Sequence, residues 1–294
     1  MSEQDNILNF SYSKLATFLD CPKKYELQYI KNLVEFKENI YTAFGEAVHK
    51  AIEITINKKY DFDEALIIFE KTLKERTKLI DPREMQLIFL SEWYRKGEQL
   101  LKYFFDKFYN KIKNGDIEVI ATEKYFKYEI MPNTNYNGII DFLIKEYEDI
   151  EEIINFPEVK ILKNGKKKNI IKKIVNKKKV EKYKILDWKT GNIQHNENLQ
   201  LLSYAIPMFF NDNILIQQIQ YVYLKHKKII KKDIDLEVIN KTKQKIISII
   251  NNIKYSTENQ IFDMCLDNSK CKYCNVKKYC DLDFESDLDS NNSI

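Results

Sequence analysis

Near residue 114 the hydrophobic period of this chain changes, and that change limits the folds open to it. Before it, apolar residues recur at helical spacing. Ala47, Val48, Ala51, Ile52 and Ile56 form one stripe of a helix predicted over Phe44 to Lys58, and helical patterning continues from Asp63 to about Ile80 and from Glu84 to Lys113. After it come β-rich runs at 118–123 and 125–130, turn chemistry at Asn135 to Gly138, and an apolar strand from Ile139 to Ile144. Helix returns over Asn198 to Phe210, a strand over Ile216 to Leu224, and a helix over Leu236 to Lys254. Helices, then three or four strands, then helix, strand and helix predict an α/β fold: a mixed central sheet flanked by helices. At the start, Ser11 is a natural N-cap for a helix over Tyr12 to Leu19, which Cys21-Pro22 interrupts before Tyr25 to Tyr29.

With 294 residues, 44% of them hydrophobic and 13% aromatic, the chain can bury a substantial core. It reads as a single domain over 1–294, with a helical insertion at 60–113 and an α/β core at 114–235. A lysine-dense run from Lys160 to Lys184, within an insertion at 149–184, is expected to form an extended hairpin or mobile loop. Residues 283–294 are expected to be a disordered tail. Forty-eight basic and 44 acidic side chains leave a net charge of +4, which does not by itself select a nucleic-acid partner. The N-terminus is polar and no stretch reaches the roughly 18–20 apolar residues of a membrane span. The expectation is a soluble cytoplasmic protein with no membrane partner.

Chemistry concentrates at Ile185-Leu186-Asp187-Trp188-Lys189-Thr190-Gly191. On a strand, Asp187 and Lys189 project to the same side, so a carboxylate that holds a cation can stand beside an ammonium that polarises water. An isolated Asp-x-Lys is an ordinary surface ion pair, so other residues must converge on it. Asp141, three residues after Gly138 in an apolar strand, is a second carboxylate in a setting where an unpartnered acid is costly. His49, one of three histidines, follows Gly45 on an apolar helix face and can add a nitrogen ligand. Glu46, on the same helix, is a weaker candidate; Glu123 is either a further acid near the site or an edge charge. Gln200 and Tyr204 are four apart on one helix face and can reach a common point. Oxygen ligands of this kind suit Mg²⁺ or Mn²⁺.

Taken in order, Gly-x-x-x-His49, Gly-x-x-Asp141, Asp187-x-Lys189 and Gln200-x-x-x-Tyr204 resemble the PD-(D/E)XK nucleases. The likeness is greatest to the RecB and AddB branch, which also holds the CRISPR-associated nucleases of spacer acquisition. The resemblance implies that His49, Asp141 and Asp187 bind the metal, that Lys189 orients or activates water, and that Gln200 and Tyr204 support the site and the DNA. It also implies a restriction-endonuclease-like core and a deoxyribonuclease, most simply an exonuclease on single-stranded DNA or DNA ends in repair or recombination. A helicase or other DNA-processing protein is the implied partner. A weakly active scaffolding subunit and a structure-specific endonuclease remain alternatives.

Five cysteines complete the inventory. Cys271-x-x-Cys274-x5-Cys280 is a compact thiolate group for which zinc is the first reading, one ligand short of four. Cys265 is close in sequence, while Cys21 lies in a stretch, Ser11 to Tyr25, similar to the N-terminal signature of iron–sulfur nucleases of the same branch. That resemblance implies a 4Fe-4S cluster on Cys21, Cys271, Cys274 and Cys280, stapling residues 10–30 to 262–282, with Cys265 a bystander.

Overall fold

The computed structural model describes residues 7–34, 37–161, 167–193, 199–265, 268–272 and 274–280. The segment 283–294 and the last residues of the expected C-terminal staple lie outside these.

Capping chemistry sets the first helices. A short strand β1 (Leu8–Ser11) runs into α1 (Tyr12–Asp20), whose first turn is capped by the Ser11 hydroxyl accepting from the Lys14 amide. Pro22 at the first position of α2 (Pro22–Tyr25) lacks the N–H that a helix start leaves unused, and Cys21 Sγ accepts from the Lys24 amide. A π-helical turn, Glu26–Ile30, follows. Reciprocal capping boxes start α3 (Ile40–Lys58, Asn39 with Thr42) and α4 (Phe62–Thr77, Asp61 with Glu64). The helical stretch expected to run unbroken from Glu84 is interrupted. It comprises α5 (Pro82–Met85), α6 (Leu90–Phe104), a π turn (Phe105–Tyr109) and α7 (Asn110–Lys113).

The sheet follows: β2 (Ile117–Met131), β3 (Thr134–Ile161) and β4 (Lys167–Lys189), then α8 (Leu199–Phe210), β5 (Ile216–Tyr223), β6 (Lys228–Asp233), α9 (Leu236–Asn259) and α10 (Asn268–Cys271). The six strands form one mixed sheet in the order β1-β3-β4-β5-β6, with β2 pairing β3. β3 and β4 are antiparallel, β4 and β5 parallel. Helices cover both faces, as the α/β expectation requires. On one face Phe142, Ile144, Leu186, Trp188 and Val222 pack with α3, α4 and α6 residues such as Val48, Phe69 and Phe104. The region 60–113 therefore shares its core with α3 and the sheet. On the other face Leu143, Ile185 and Ile219 pack with α8 and α9.

Two features differ from the sequence reading, and the lysine run takes the extended paired form that is one of its two readings. Asn135 to Gly138 is not a turn: Asn135 to Asn137 pair with both β1 and β2, Gly138 pairs with β2, and the chain reverses at Pro132-Asn133, where Asn133 takes φ 56°. Gly138 is small because a Cβ there would stand 2.8 Å from the Phe126 ring and 3.2 Å from that of Tyr204. β1 and β6 were too short or too charged to register as strands. The lysine run is a β-ribbon formed by β3 and β4 extending beyond the sheet, paired from Tyr147↔Glu181 to Ile161↔Lys167. At about 3.3 Å per residue it projects roughly 45 Å. Lys182 to Lys184 already belong to its root, where the buried Lys184 ammonium bridges Glu146 and Glu148. Among the described residues no helix is long and apolar enough to cross a membrane.

Gly138→Ala is expected to destabilise the fold by about 1–3 kcal/mol, the usual cost of overpacking a filled site. Urea denaturation against the wild type measures it, and an unchanged midpoint would mean the rings move aside freely.

Candidate active site

The sheet opens between β1 and β4. Both β1 and β4 pair with the edge of β3 opposite β2, β1 ending at Ser11↔Asn137 and β4 ending at Leu186↔Phe142. Between them Gly138 to Asp141 have no strand partner on that edge. Asp141 fills the gap by accepting the Trp188 amide on its Oδ2 at 3.1 Å, a bond that a neighbouring carbonyl would otherwise receive.

His49, on α3, closes the opening from above. Its Nε2 lies 2.8 Å from the Trp188 carbonyl oxygen and so donates to it. That bond makes Nδ1 the free ring nitrogen in the neutral tautomer, 3.4 Å from Asp141 Oδ2 and 3.9 Å from Glu123 Oε1. Ligating atoms of His49, Glu123 and Asp141 all lie within 4.8 Å of one another, a spacing a single cation could bridge. Glu46 is elsewhere: it is exposed and paired with Arg76 at 2.6 Å.

Asp187 and Lys189 share a side of β4, as their spacing implies, with Lys189 Nζ 2.7 Å from Asp187 Oδ2. The Asp187 oxygen accepts no well-directed hydrogen bond although the residue is 4% exposed. Lys189 Nζ also donates to Gln200 Oε1 at 3.4 Å, and Gln200 Nε2 to the Tyr204 hydroxyl at 3.2 Å. Tyr204 packs against Phe126 with ring centroids 5.3 Å apart, so a buried ring anchors the chain that aims the lysine. Asp187 is not among the three residues grouped around His49, although it is the next residue of β4 beyond the Leu186 rung, opposite Asp141.

Electrostatics separate these groups from ordinary surface acids. Burial, then the charge of Asp141, pushes Asp187 up to about 6, against the pull of Lys189 and His49. Burial and Asp141 likewise push Glu123 up to about 7, opposed by His49 and Lys50. Closely spaced carboxylates in a partly dry cleft, one with a buried oxygen lacking a hydrogen bond, fit a divalent cation, which favours their charged forms.

The cysteines gather at the opposite end of α1. Cys21, Cys265, Cys271, Cys274 and Cys280 all line one cavity of about 540 Å³, with Asp20, Lys24, Lys270, Lys272 and Lys277. Cys265 and Cys271 have sulfurs 3.9 Å apart, and Cys280 Sγ is 3.5 Å from Met264 Sδ. Among the described residues no three cysteine sulfurs come within 4.8 Å of one another. Burial, with the Cys271 and Cys21 thiols beside it, pushes the Cys265 thiol up to about 11.

A family model for the PD-(D/E)XK nuclease superfamily matches residues 9–155, half of the chain. The match takes in His49, Glu123 and Asp141 and ends before Asp187. With the mixed sheet and flanking helices already described, it places the chain in that superfamily: this protein belongs to the PD-(D/E)XK nucleases. Its activity class is therefore that of a metal-dependent nuclease. Comparison with curated proteins finds no match.

The raised carboxylates set a pH dependence. In the metal-free protein Asp187 and Glu123 keep protons that the unfolded chain has already lost above its ordinary carboxylate range, so their contribution to stability falls as pH rises from about 4 to about 7. Added Mn²⁺ binds the deprotonated forms, so its thermal stabilisation should be larger at pH 8 than at pH 5. Paired thermal melts with and without Mn²⁺ check this, and equal shifts at both pH values would contradict it.

Proposed function

We propose that this chain is a metal-dependent deoxyribonuclease acting as an exonuclease on single-stranded DNA or DNA ends. The observation that carries the reading is the linked set His49, Asp141, Asp187, Lys189, Gln200 and Tyr204 at the opening in the sheet. His49, Asp141 and Asp187 would hold Mg²⁺ or Mn²⁺. Such a cation, when bound, neutralises charge developing on the phosphate and makes water a better nucleophile.

This chain's own residues supply the rest. Asp187 holds the Lys189 ammonium beside the carboxylates. There it can polarise the attacking water or neutralise a phosphate oxygen. Gln200, fixed by Tyr204, restricts the lysine to that direction. Because the His49 Nε2 proton is committed to the Trp188 carbonyl, Nδ1 is left to act as a ligand. No covalent nucleophile is needed.

At the other end, Cys21, Cys271, Cys274 and Cys280 would bind a 4Fe-4S cluster. Zinc with Zn–S bonds of about 2.3 Å needs its sulfurs about 3.8 Å apart. Cys265 and Cys271 stand at that spacing, and the absence, among the described residues, of any third cysteine sulfur within 4.8 Å of both accords better with a polynuclear cluster. Such a group would staple α1 and α2 to the segment after α9, closing a loop of most of the chain. A helicase or another DNA-processing protein is the partner that fits an end-directed nuclease, and the cytoplasm is the expected compartment.

Strands labelled at either end, incubated with Mg²⁺ or Mn²⁺, should be shortened from an end. Asp187→Asn and Lys189→Ala should each lower the rate about a hundredfold or more while leaving DNA binding nearly intact. DNA binding without cleavage by the wild type would favour a scaffolding subunit instead.

Purified anaerobically, the protein should absorb broadly near about 400 nm and lose its iron on Cys21→Ala. Colourless protein with stoichiometric zinc would overturn the cluster.

A further inference from the structure

Glu123 sits where a strand would not place an acid without cause. Thr122 pairs with Phe142 and Lys124 with Ile140, so Glu123 falls opposite Asp141, yet that rung is unpaired. Glu123 itself takes φ 46°, the left-handed region that costs a side-chain-bearing residue energy. On the far side of Asp141, Asp187 is the next residue of β4 beyond the Leu186↔Phe142 pair. Three adjacent strands therefore each deliver one carboxylate to the same rung: Glu123 from β2, Asp141 from β3, Asp187 from β4.

Like charges directly opposite on neighbouring strands destabilise a sheet. Of the lysines near the row, Lys50 pairs with Glu53 at 2.8 Å, and Lys189 pairs at 2.7 Å with Asp187, at the end of the row away from Glu123. His49 Nδ1, 3.9 Å from Glu123 and 3.4 Å from Asp141, offers a nitrogen to the same space. Three donors of nitrogen and oxygen type within 4.8 Å of one another are of the kind and spacing that a hard cation takes.

We infer that Glu123 is a further metal ligand, which with His49 and Asp141 holds a divalent cation at the β2 side of the row. Asp141 is then shared between this position and the Asp187 side. The inference rests on the metal-dependent reading above and assigns to it a residue that lies outside the Asp-x-Lys and histidine motifs. The broken rung and left-handed backbone are what free the Glu123 carboxylate from the ladder.

The test uses the full chain and no activity. Mn²⁺ is titrated into wild type and Glu123→Gln, with free Mn²⁺ followed by electron paramagnetic resonance, and both are melted without metal. Weakening of Mn²⁺ binding by about tenfold or more is expected in the variant. Its metal-free Tm should rise, because the amide removes a like charge from the row. Equal Mn²⁺ affinity overturns the inference and leaves the nuclease reading standing. Weaker binding with a lowered metal-free Tm marks Glu123 as structural and also overturns it. A wild type that binds no Mn²⁺ overturns both. Should Glu123→Gln not fold, Glu123→Asp keeps the charge and shortens the reach, and the same affinity comparison decides.

Discussion

Electrostatic repulsion between acids on adjoining strands is the constraint on which the rest of this structure depends. Neighbouring strands lie about 4.8 Å apart, and two charges at that distance repel by about 3 kcal/mol even at an effective dielectric of ~20. A fold can hold Asp141 and Asp187 on one rung only if other forces fix the strands. Here those forces are apolar. Phe142, Leu186 and Trp188 on one face and Leu143 and Ile185 on the other are all buried, so the strands are clamped on both sides immediately beside the acids. Trp188 is the hinge of the arrangement. Its ring packs against Phe104, Phe108 and Phe142, its amide holds Asp141, and its carbonyl holds His49.

The sequence carried much of this because two periodicities are local. Alternation put Asp187 and Lys189 on one side, and the structure brings them into contact. The four-residue spacing of Gln200 and Tyr204 placed both on one face of α8, where they hydrogen-bond. The caps Ser11 and Pro22 act within a turn of the chain and were readable for the same reason.

What was not readable depended on partners distant in sequence. Asn135 to Gly138 has turn composition, yet pairing with β1 and β2 on its two edges overrides that preference. The need for glycine at 138 comes from rings at Phe126 and Tyr204, which no local pattern announces. Glu123 was left between two readings, because only the register of β2 against β3 shows what stands opposite it. Cys265 read as a bystander to the other four cysteines; its place in the same cavity, with its sulfur 3.9 Å from that of Cys271, is set by contacts that no local pattern announces.

The ribbon also bears on the site. Residues 149–180 hold ten lysines and four acids, a surplus of six positive charges in a chain whose total is +4. Seven of its lysines lie on β4, and the strand leaves the sheet at the end away from Asp187. Yet the ribbon and the active site are one pair of strands. Sliding β4 by one residue against β3 would turn Asp187 to the opposite face and lose the site, and every paired rung of the ribbon resists that slide. Residues can therefore be gained or lost in the ribbon only in matched numbers on its two strands. The ribbon's length is free to drift over evolutionary time, while the difference between its two arms is not.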